Sequence, residues 1–305
     1  MARTVKGTLT IEGQEIQITN PDKPLWPEVG ITKAMYLQKL AAISPFLLRY
    51  CRGRLLTTIR YPHGAQGESF YQKNAPEPLP PFVQTYVHEN INYVLLNGLP
   101  ELLWLGNLAA LEFHPSLHLA GSHLPCEWMI DLDPTLPEEP RIMEATAIVG
   151  DVLSSLGLSS VPKTSGATGV QIIVPILEGV TFDELRTVGQ FVGQYVTEKF
   201  PKLFTIERLK KNRGDKIYFD YLQHYSGRTL AAPYTPRARR LGTVSTPLTW
   251  DEVRQDVSPT EFHLLNIEER LREKGDLLQT LPPQPIENVI RHLKPKGKAA
   301  SKRKR

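Results

Sequence analysis

The sequence predicts an α+β fold with mixed, largely antiparallel sheets. Three observations point there. Strand-like and helix-like stretches interleave without a regular βα repeat. Several neighbouring strands are joined by turns too short for a parallel crossover. Composition does not shift until the last twelve residues, so 1–293 reads as one compact unit and 294–305 as a basic, disordered tail.

Each element has its own signal. Residues 8–19, TLTIEGQEIQIT, alternate around Glu12 and Gly13, which marks a hairpin. Residues 20–31 form a polar loop punctuated by proline. Thr32 then caps a helix running towards Ser44, with Leu37, Leu40 and Ala41 on one face. LLTTIRYP, 55–62, is a strand, and 62–81 is a long Gly/Pro-rich loop with an aromatic pair inside it. Residues 92–115 read as a strand and then a buried helix. CEWMIDLDP, 126–134, is a strand that Pro134 stops. Ile142, Ala145, Val149, Val152 and Leu156 keep helical spacing, and Gly157 ends that helix. Residues 159–176 are strand, glycine turn, strand. Thr181 and Glu184 form a capping box for a helix continued by Leu185, Val188, Val192 and Tyr195. KIYFDYL, 216–222, is a strand. Ser258 and Glu261, with Pro259 at the first helical position, predict a second capping box, and Gly275 closes the helix that ends there. Residues 280–286 are an extended connector.

Composition excludes several classes. With 305 residues, 41% hydrophobic and 22% charged, the chain is neither fibrous nor wholly disordered. No apolar run approaches the about 20 residues that span a bilayer. The first residues lack the apolar stretch of a signal peptide. Cys51 and Cys126 cannot build a disulfide framework or a four-cysteine zinc site. A reducing, cytoplasmic and nucleoid-associated setting is the expectation. The net charge of +4 divides unevenly. Without the seven Lys and Arg of the tail, 29 basic residues face 32 acidic ones, so a slightly acidic body carries a polycationic end suited to nucleic acid. A solvated end without a specific partner is the plain alternative.

The sharpest chemical signal is Asp131-Leu132-Asp133. On a strand these two carboxylates share a face. They repel unless a hard cation sits between them. The plain alternative is a pair of strand-end aspartates in a turn. Asp220, alone among Ile217, Tyr218, Phe219 and Tyr221, needs a partner if buried and is a candidate third ligand. An edge-strand aspartate facing water is the other possibility. KTSGATG, with Lys163, Ser165, Gly166 and Thr168, offers backbone N–H groups, hydroxyls and an ammonium for phosphate, though a plain hairpin turn fits too. His114, His118, His123 and Cys126 match no standard zinc spacing and read as histidines scattered on a loop. Phe70 and Tyr71, beside Lys73, suit stacking on bases or packing on the core. The basic runs at 207–216 and 236–240 bracket Asp220 and favour a polyphosphate or nucleic-acid surface.

Taken in order, seven blocks resemble the polymerase domain of bacterial DNA ligase D, in the archaeo-eukaryotic primase superfamily. They are TNPDKPLWPEVGITK, TIRYPHGAQGESFYQK, LLWLGNLAALEFHP, WMIDLDP, PKTSGATGVQIIVP, KNRGDKIYFDYLQ and AAPYTPRARR, within about 10–275. The resemblance implies an RRM-like catalytic core with a second packed sheet. It implies template-directed addition of NTPs or dNTPs, with ribonucleotides favoured, at gaps and broken DNA ends in non-homologous end joining. Two Mn²⁺ or Mg²⁺ ions would lie among Asp131, Asp133 and Asp220. His114, Ser165 and its loop, and Arg237 match nucleotide contacts, and Arg213 and Gln223 match further active-site positions. Asn20, Lys23 and Lys33 match a pocket for the downstream 5′-phosphate. Arg60, Phe70 and Tyr71 match template contacts.

Two positions depart from the pattern. Many relatives carry Lys where Thr168 stands and His where Gln171 stands. No KxDG motif of a nucleotidyl-lysine ligase occurs, so a separate DNA ligase, with Ku, is the expected partner of a stand-alone polymerase. Two other functions compete. IDLDPT also fits a haloacid-dehalogenase-type phosphatase with Asp131 as nucleophile and Asp133 as acid/base, which demands a doubly wound parallel sheet. A non-catalytic DNA-end binder would keep the phosphate pocket alone.

Overall fold

Two five-stranded sheets organise the chain, which a computed structural model describes over residues 5–293. The basic tail, 294–305, lies outside the described residues.

The opening hairpin, β1 (Val5–Ile11) with β2 (Gln14–Thr19), turns at Glu12 and Gly13, both at positive φ (50° and 77°), as a two-residue hairpin loop requires. The segment expected as a plain loop contains a small ladder, β3 (Pro24–Trp26) and β4 (Ile31–Thr32), because Leu25, Trp26 and Ile31 are buried. Thr32 caps α1 (Lys33–Cys51), its hydroxyl accepting from the Met35 amide at 3.4 Å. The helix continues past Ser44 through Pro45. Proline cannot donate to the Ala41 carbonyl, and the Ser44 hydroxyl donates to it instead at 2.8 Å.

One sheet has β5 (Arg54–Arg60) at its centre. Along one edge of β5 run β6 (Phe70–Gln72) and β8 (Ile91–Leu95), with β7 (Thr85–His88) beyond β8. Phe70 and Tyr71 therefore ride on a short edge strand, paired with Arg60 and Ile59, and not on an irregular loop. Helix α2 (Leu99–Asn107) is shorter than its apolar run suggests. Ala109, at φ 61°, turns the chain, and 110–119 becomes β9 (Ala110–Leu119) on the other edge of β5. Pairing with β5 overrides the helix-like pattern there. His114 and His118 thus stand on a strand.

The other sheet runs β11-β12-β10-β14-β13, with β10 (Glu127–Pro134), β11 (Val161–Thr164), β12 (Val170–Pro175), β13 (Phe204–Thr205) and β14 (Ile217–Phe219). Both neighbours of β10 are antiparallel; β13 and β14 are parallel. This mixed α+β arrangement, with its second sheet, excludes the doubly wound sheet of the phosphatase reading. Alternation divides the faces. Trp128, Ile130 and Leu132 of β10 and Val170, Ile172 and Val174 of β12 point into the main core. They meet α3 (Ile142–Ser155) and α4 (Phe182–Lys199) through Ala145, Val149, Val188 and Val192. The opposite face presents Met129, Asp131 and Asp133, beside Gln171 and Ile173, to the cleft between the sheets.

The Thr181 capping box is present, with both reciprocal bonds. The one expected at Ser258 is not: its hydroxyl closes a turn with the Thr260 amide, and the box sits at Thr249 and Glu252, heading α5 (Trp250–Arg254). Arg270 reaches the Glu252 carboxylate with both terminal nitrogens (2.6 and 2.8 Å) and anchors α6 (Ile267–Lys274). The connector at 280–286 leads to α7 (Glu287–Leu293), against α4. Among the described residues, no helix is long and apolar enough to cross a membrane.

Candidate active site

Antiparallel pairing assembles the carboxylates. Asp131 faces Gln171 across β10 and β12, and Asp133 faces Tyr218 across β10 and β14. Asp220 stands one residue past β14, where its amide donates to the Asp131 carbonyl at 2.9 Å. Asp220 Oδ1 accepts from the Tyr218 hydroxyl (3.0 Å) and the amides of Leu222 (3.1 Å) and Gln223 (3.0 Å), which fixes the carboxylate within its own turn.

Burial, with the carboxylates of Asp220 and Asp133 beside it, pushes the Asp131 carboxyl up to about 7. Asp220 is raised as well, chiefly by burial. Gln171 Nε2 donates to Asp131 Oδ1 at 3.1 Å, and its own carbonyl oxygen is buried without a partner among the described residues. Arg213 lies flat on the Tyr218 ring, 3.8 Å from its centroid, with its side chain anchored to the carbonyls of Glu207 and Arg208. It reaches the half-exposed Asp133 at 3.4 Å.

These groups suit a hard divalent cation in their chemistry: acceptor-only oxygens that raise one another's affinity for positive charge. The arrangement is open. Among the described residues, no three His, Cys, Asp or Glu close on one point as a preformed metal site. Asp133 turns to Arg213, and one Asp220 oxygen is engaged by three donors.

The glycine turn between β11 and β12 forms the next wall. Ser165 Oγ gathers the amides of Ala167 and Gly169, each at 3.1 Å. Gly166 adopts φ 67°, and a Cβ there would lie 2.6 Å from Arg237 Cγ. Arg237 Nη1 donates to the Ser165 carbonyl. Lys163 does not reach the surface. It is fully buried, donates to Ser245 Oγ (2.6 Å) and the Ala231 carbonyl (3.1 Å), and is lowered to about 7 by burial and by Arg237.

Sequence reasoning missed Glu112. It is buried on β9, two residues before His114 and on the same face. It accepts from Arg237 Nε (2.8 Å), His114 Nε2 (2.9 Å), the Ala238 amide (3.0 Å) and the Tyr61 hydroxyl (3.3 Å). Burial opposes its ionisation, but His114 and Arg237 hold the carboxyl down at about 2. The signal available was a lone acid in an apolar run at i−2 from a site histidine. His114, Asp131, Asp133, Ser165, Thr168, Gln171 and Arg237 line one cavity of about 260 Å³. A roomier cavity of about 450 Å³ shares only the Leu230–Ala231 wall with it. That second cavity is mostly apolar, and its carboxylate, Glu127, is already held by Arg54 at 2.6 and 2.7 Å.

The residues expected to grip DNA fall into two groups. Arg60 donates to the Leu108 carbonyl (2.8 Å) and Gln72 (2.6 Å), and its guanidinium lies 5.2 Å from the centroid of the exposed Phe70 ring. Tyr71 and Lys73 are exposed nearby. Near the start of α1, Asn20 is exposed at φ 47°, and Lys23 Nζ donates to the Pro62 carbonyl. Lys33 lies beneath that surface, its ammonium held by the carbonyls of Thr19 (2.7 Å) and Asn107 (2.9 Å). Gln223 is half-buried, its side chain 3.4 Å from the Thr229 carbonyl. His118 and Cys126 join no metal cluster among the described residues.

Residues 32–278 match the family described as LigD, primase-polymerase domain. The chain is 37% identical over 291 residues to the bifunctional non-homologous end joining protein LigD of Bacillus subtilis, covering 93% of this chain and 47% of that one. It is 31% identical over 281 residues to the multifunctional LigD of Mycolicibacterium smegmatis, covering 88% and 36%. The chain therefore spans about half or less of the length of these curated relatives. Among solved structures it is similar to the polymerase domain from Mycobacterium tuberculosis Ligase D in complex with DNA. The TM-score is 0.81 at 28% identity, over 87% of this chain and 97% of that one.

Proposed function

The chain belongs to the LigD primase-polymerase domain family, and we propose that it transfers nucleotides to DNA 3′ ends under the direction of a template, filling gaps and extending broken ends in non-homologous end joining. The observation that carries this is the placement of Asp131 and Asp133 on one face of β10, with Asp220 tied to Asp131 through the backbone at the end of β14, beside a loop that gathers backbone amides.

Asp131, Asp133 and Asp220 would hold Mn²⁺ or Mg²⁺, in two sites, whose charge would offset that of a triphosphate and lower the affinity of a 3′-hydroxyl for its proton. The rest falls to the chain's own residues. Arg237 supplies fixed positive charge on the cleft wall, held by Glu112 and the Ser165 carbonyl. The Ser165 loop and Thr168 border the phosphate side. Gln171 keeps a neutral donor on Asp131 where many relatives have histidine. Arg213 sits where it can neutralise charge near Asp133. Phe70, Tyr71, Arg60 and Lys73 form an aromatic and basic edge for the template strand, and Lys23 and Asn20, braced from below by Lys33, suit a 5′-phosphate. Ku and a DNA ligase complete the proposed partners.

Gap filling on a 5′-phosphorylated gapped duplex, with Mn²⁺ against Mg²⁺ and NTPs against dNTPs, tests this. Templated addition that is faster with NTPs is the expected result. A protein that binds the duplex yet adds nothing with either metal overturns it.

A further inference from the structure

We infer that Glu112 is a positioning residue that holds His114 as its Nε2–H tautomer, so that the ring offers the cleft a hydrogen-bond acceptor, Nδ1, which takes a sugar hydroxyl of the bound nucleotide and not a phosphate oxygen. The identity of the ligand rests on the nucleotidyl-transfer reading; the tautomer does not.

Three partners of Glu112 donate whatever the state of the imidazole: Arg237 Nε, the Ala238 amide and the Tyr61 hydroxyl. Arg237 Nε and His114 Nε2 meet Oε2, and the Ala238 amide and Tyr61 hydroxyl meet Oε1. An ionised carboxylate can only accept, so the imidazole nitrogen 2.9 Å away carries a proton. Burial of the ring, with Arg237 adjacent, opposes a second proton and keeps the imidazole neutral. Nδ1 is then left with its lone pair. It makes no hydrogen bond to any described residue, and His114 lines the cleft with Asp131, Ser165 and Arg237.

That lone pair sorts ligand groups. A phosphate oxygen is an acceptor and is repelled; a hydroxyl donates. Of the groups a nucleotide carries next to its triphosphate, the 2′- and 3′-hydroxyls are the donors. Arg237, aimed by the same carboxylate, supplies the cation for the phosphates. One buried acid thus sets two opposite preferences side by side. The preference at His114 does not follow from the ring alone, because an unanchored imidazole presents either nitrogen and either role.

Two measurements on the whole chain test this. The first is ¹⁵N-detected NMR of the imidazole nitrogens between pH 6 and 8, with His114→Asn identifying the signal. The expected signature is protonated Nε2 and bare Nδ1. Nδ1–H, or a doubly protonated ring, overturns the inference. The second is the KM for an NTP, its 2′-deoxy form and its 3′-deoxy form in single additions. Glu112→Gln brings an amide N–H against donors and frees the tautomer. It should raise KM for all three forms through the loosened Arg237, and by a further about five- to tenfold for the NTP and for the one deoxy form that keeps the recognised hydroxyl. Equal losses for all three overturn the inference. Should Glu112→Gln not fold, His114→Ala serves in the kinetic arm, and the tautomer is read on the wild-type chain. A wild-type chain that adds no nucleotide would refute the polymerase reading, while the NMR arm still decides the tautomer.

Discussion

The backbone amide of Asp220 donates to the backbone carbonyl of Asp131 at 2.9 Å, so the two carboxylates cannot separate without breaking a link between β10 and the end of β14. Repulsion between them is therefore built in. The raised Asp131 carboxyl means that the folded state binds protons more tightly than the unfolded chain, and stability is lost as pH rises from the usual carboxylate range through about 7. At pH 8 without metal, Asp131→Asn should raise Tm, by on the order of 2 °C per kcal/mol relieved. Mn²⁺ should raise the Tm of the wild type and not of the variant. A wild-type Tm indifferent to Mn²⁺ would argue against a cation among these carboxylates.

Lys23 and Lys33, expected to act together, should separate on mutation. Lys33→Ala leaves the Thr19 and Asn107 carbonyls without their buried ammonium and should cost about 2–4 kcal/mol of stability. Lys23→Ala should leave stability within about 0.5 kcal/mol and reduce the preference for a 5′-phosphorylated gap. Denaturant unfolding and binding to gapped duplexes with and without the phosphate check both. Loss of phosphate preference only in the Lys33 variant would reverse the assignment.

Gly169 touches β10. A Cβ there would fall 2.4 Å from the Leu132 carbonyl, the residue between the two aspartates. That neighbour is backbone and cannot swing aside, so Gly169→Ala should push β12 from β10 and reduce nucleotide addition at least tenfold. Unchanged kinetics would show that the strands part there without consequence.

His224 is buried, and neither ring nitrogen has a hydrogen-bond partner among the described residues; Phe182 packs 5.1 Å away. Burial, assisted by Arg186, lowers it to about 3. The unfolded state then binds the proton more tightly. Stability is full above about pH 6.5 and falls as pH drops from there towards 3. His224→Phe should flatten that acid limb, read as Tm between pH 7 and 4.5. An identical slope in the variant would place the acid sensitivity elsewhere.

The sequence discloses some of this site and hides the rest for physical reasons. Asp131 and Asp133 are legible because strand alternation puts i and i+2 on one face and Pro134 marks the end. The Ser165 turn is legible from its glycines. Glu112 is hidden because 108–114 is apolar enough to continue a helix, and only pairing with β5 makes it a strand. The burial of Lys33 and Lys163 is equally non-local. Besides Thr19, 14 residues from Lys33, their acceptors, Asn107, Ala231 and Ser245, lie 68 to 82 residues away in sequence, beyond any local pattern. The false cap at Ser258 shows the converse: a correct motif without a helix behind it.

The central claim is that the carboxylates of β10 and β14 form a nucleotidyl-transfer site. Its most direct measurement is extension of a primer across a one-nucleotide, 5′-phosphorylated gap, with Mn²⁺ and the complementary NTP, by the wild type and by Asp131→Ala and Asp133→Ala. The account predicts one templated nucleotide added by the wild type, and loss of addition by at least about 10³-fold in each variant with duplex affinity kept within about threefold. Extension at near wild-type rates by either variant would contradict it.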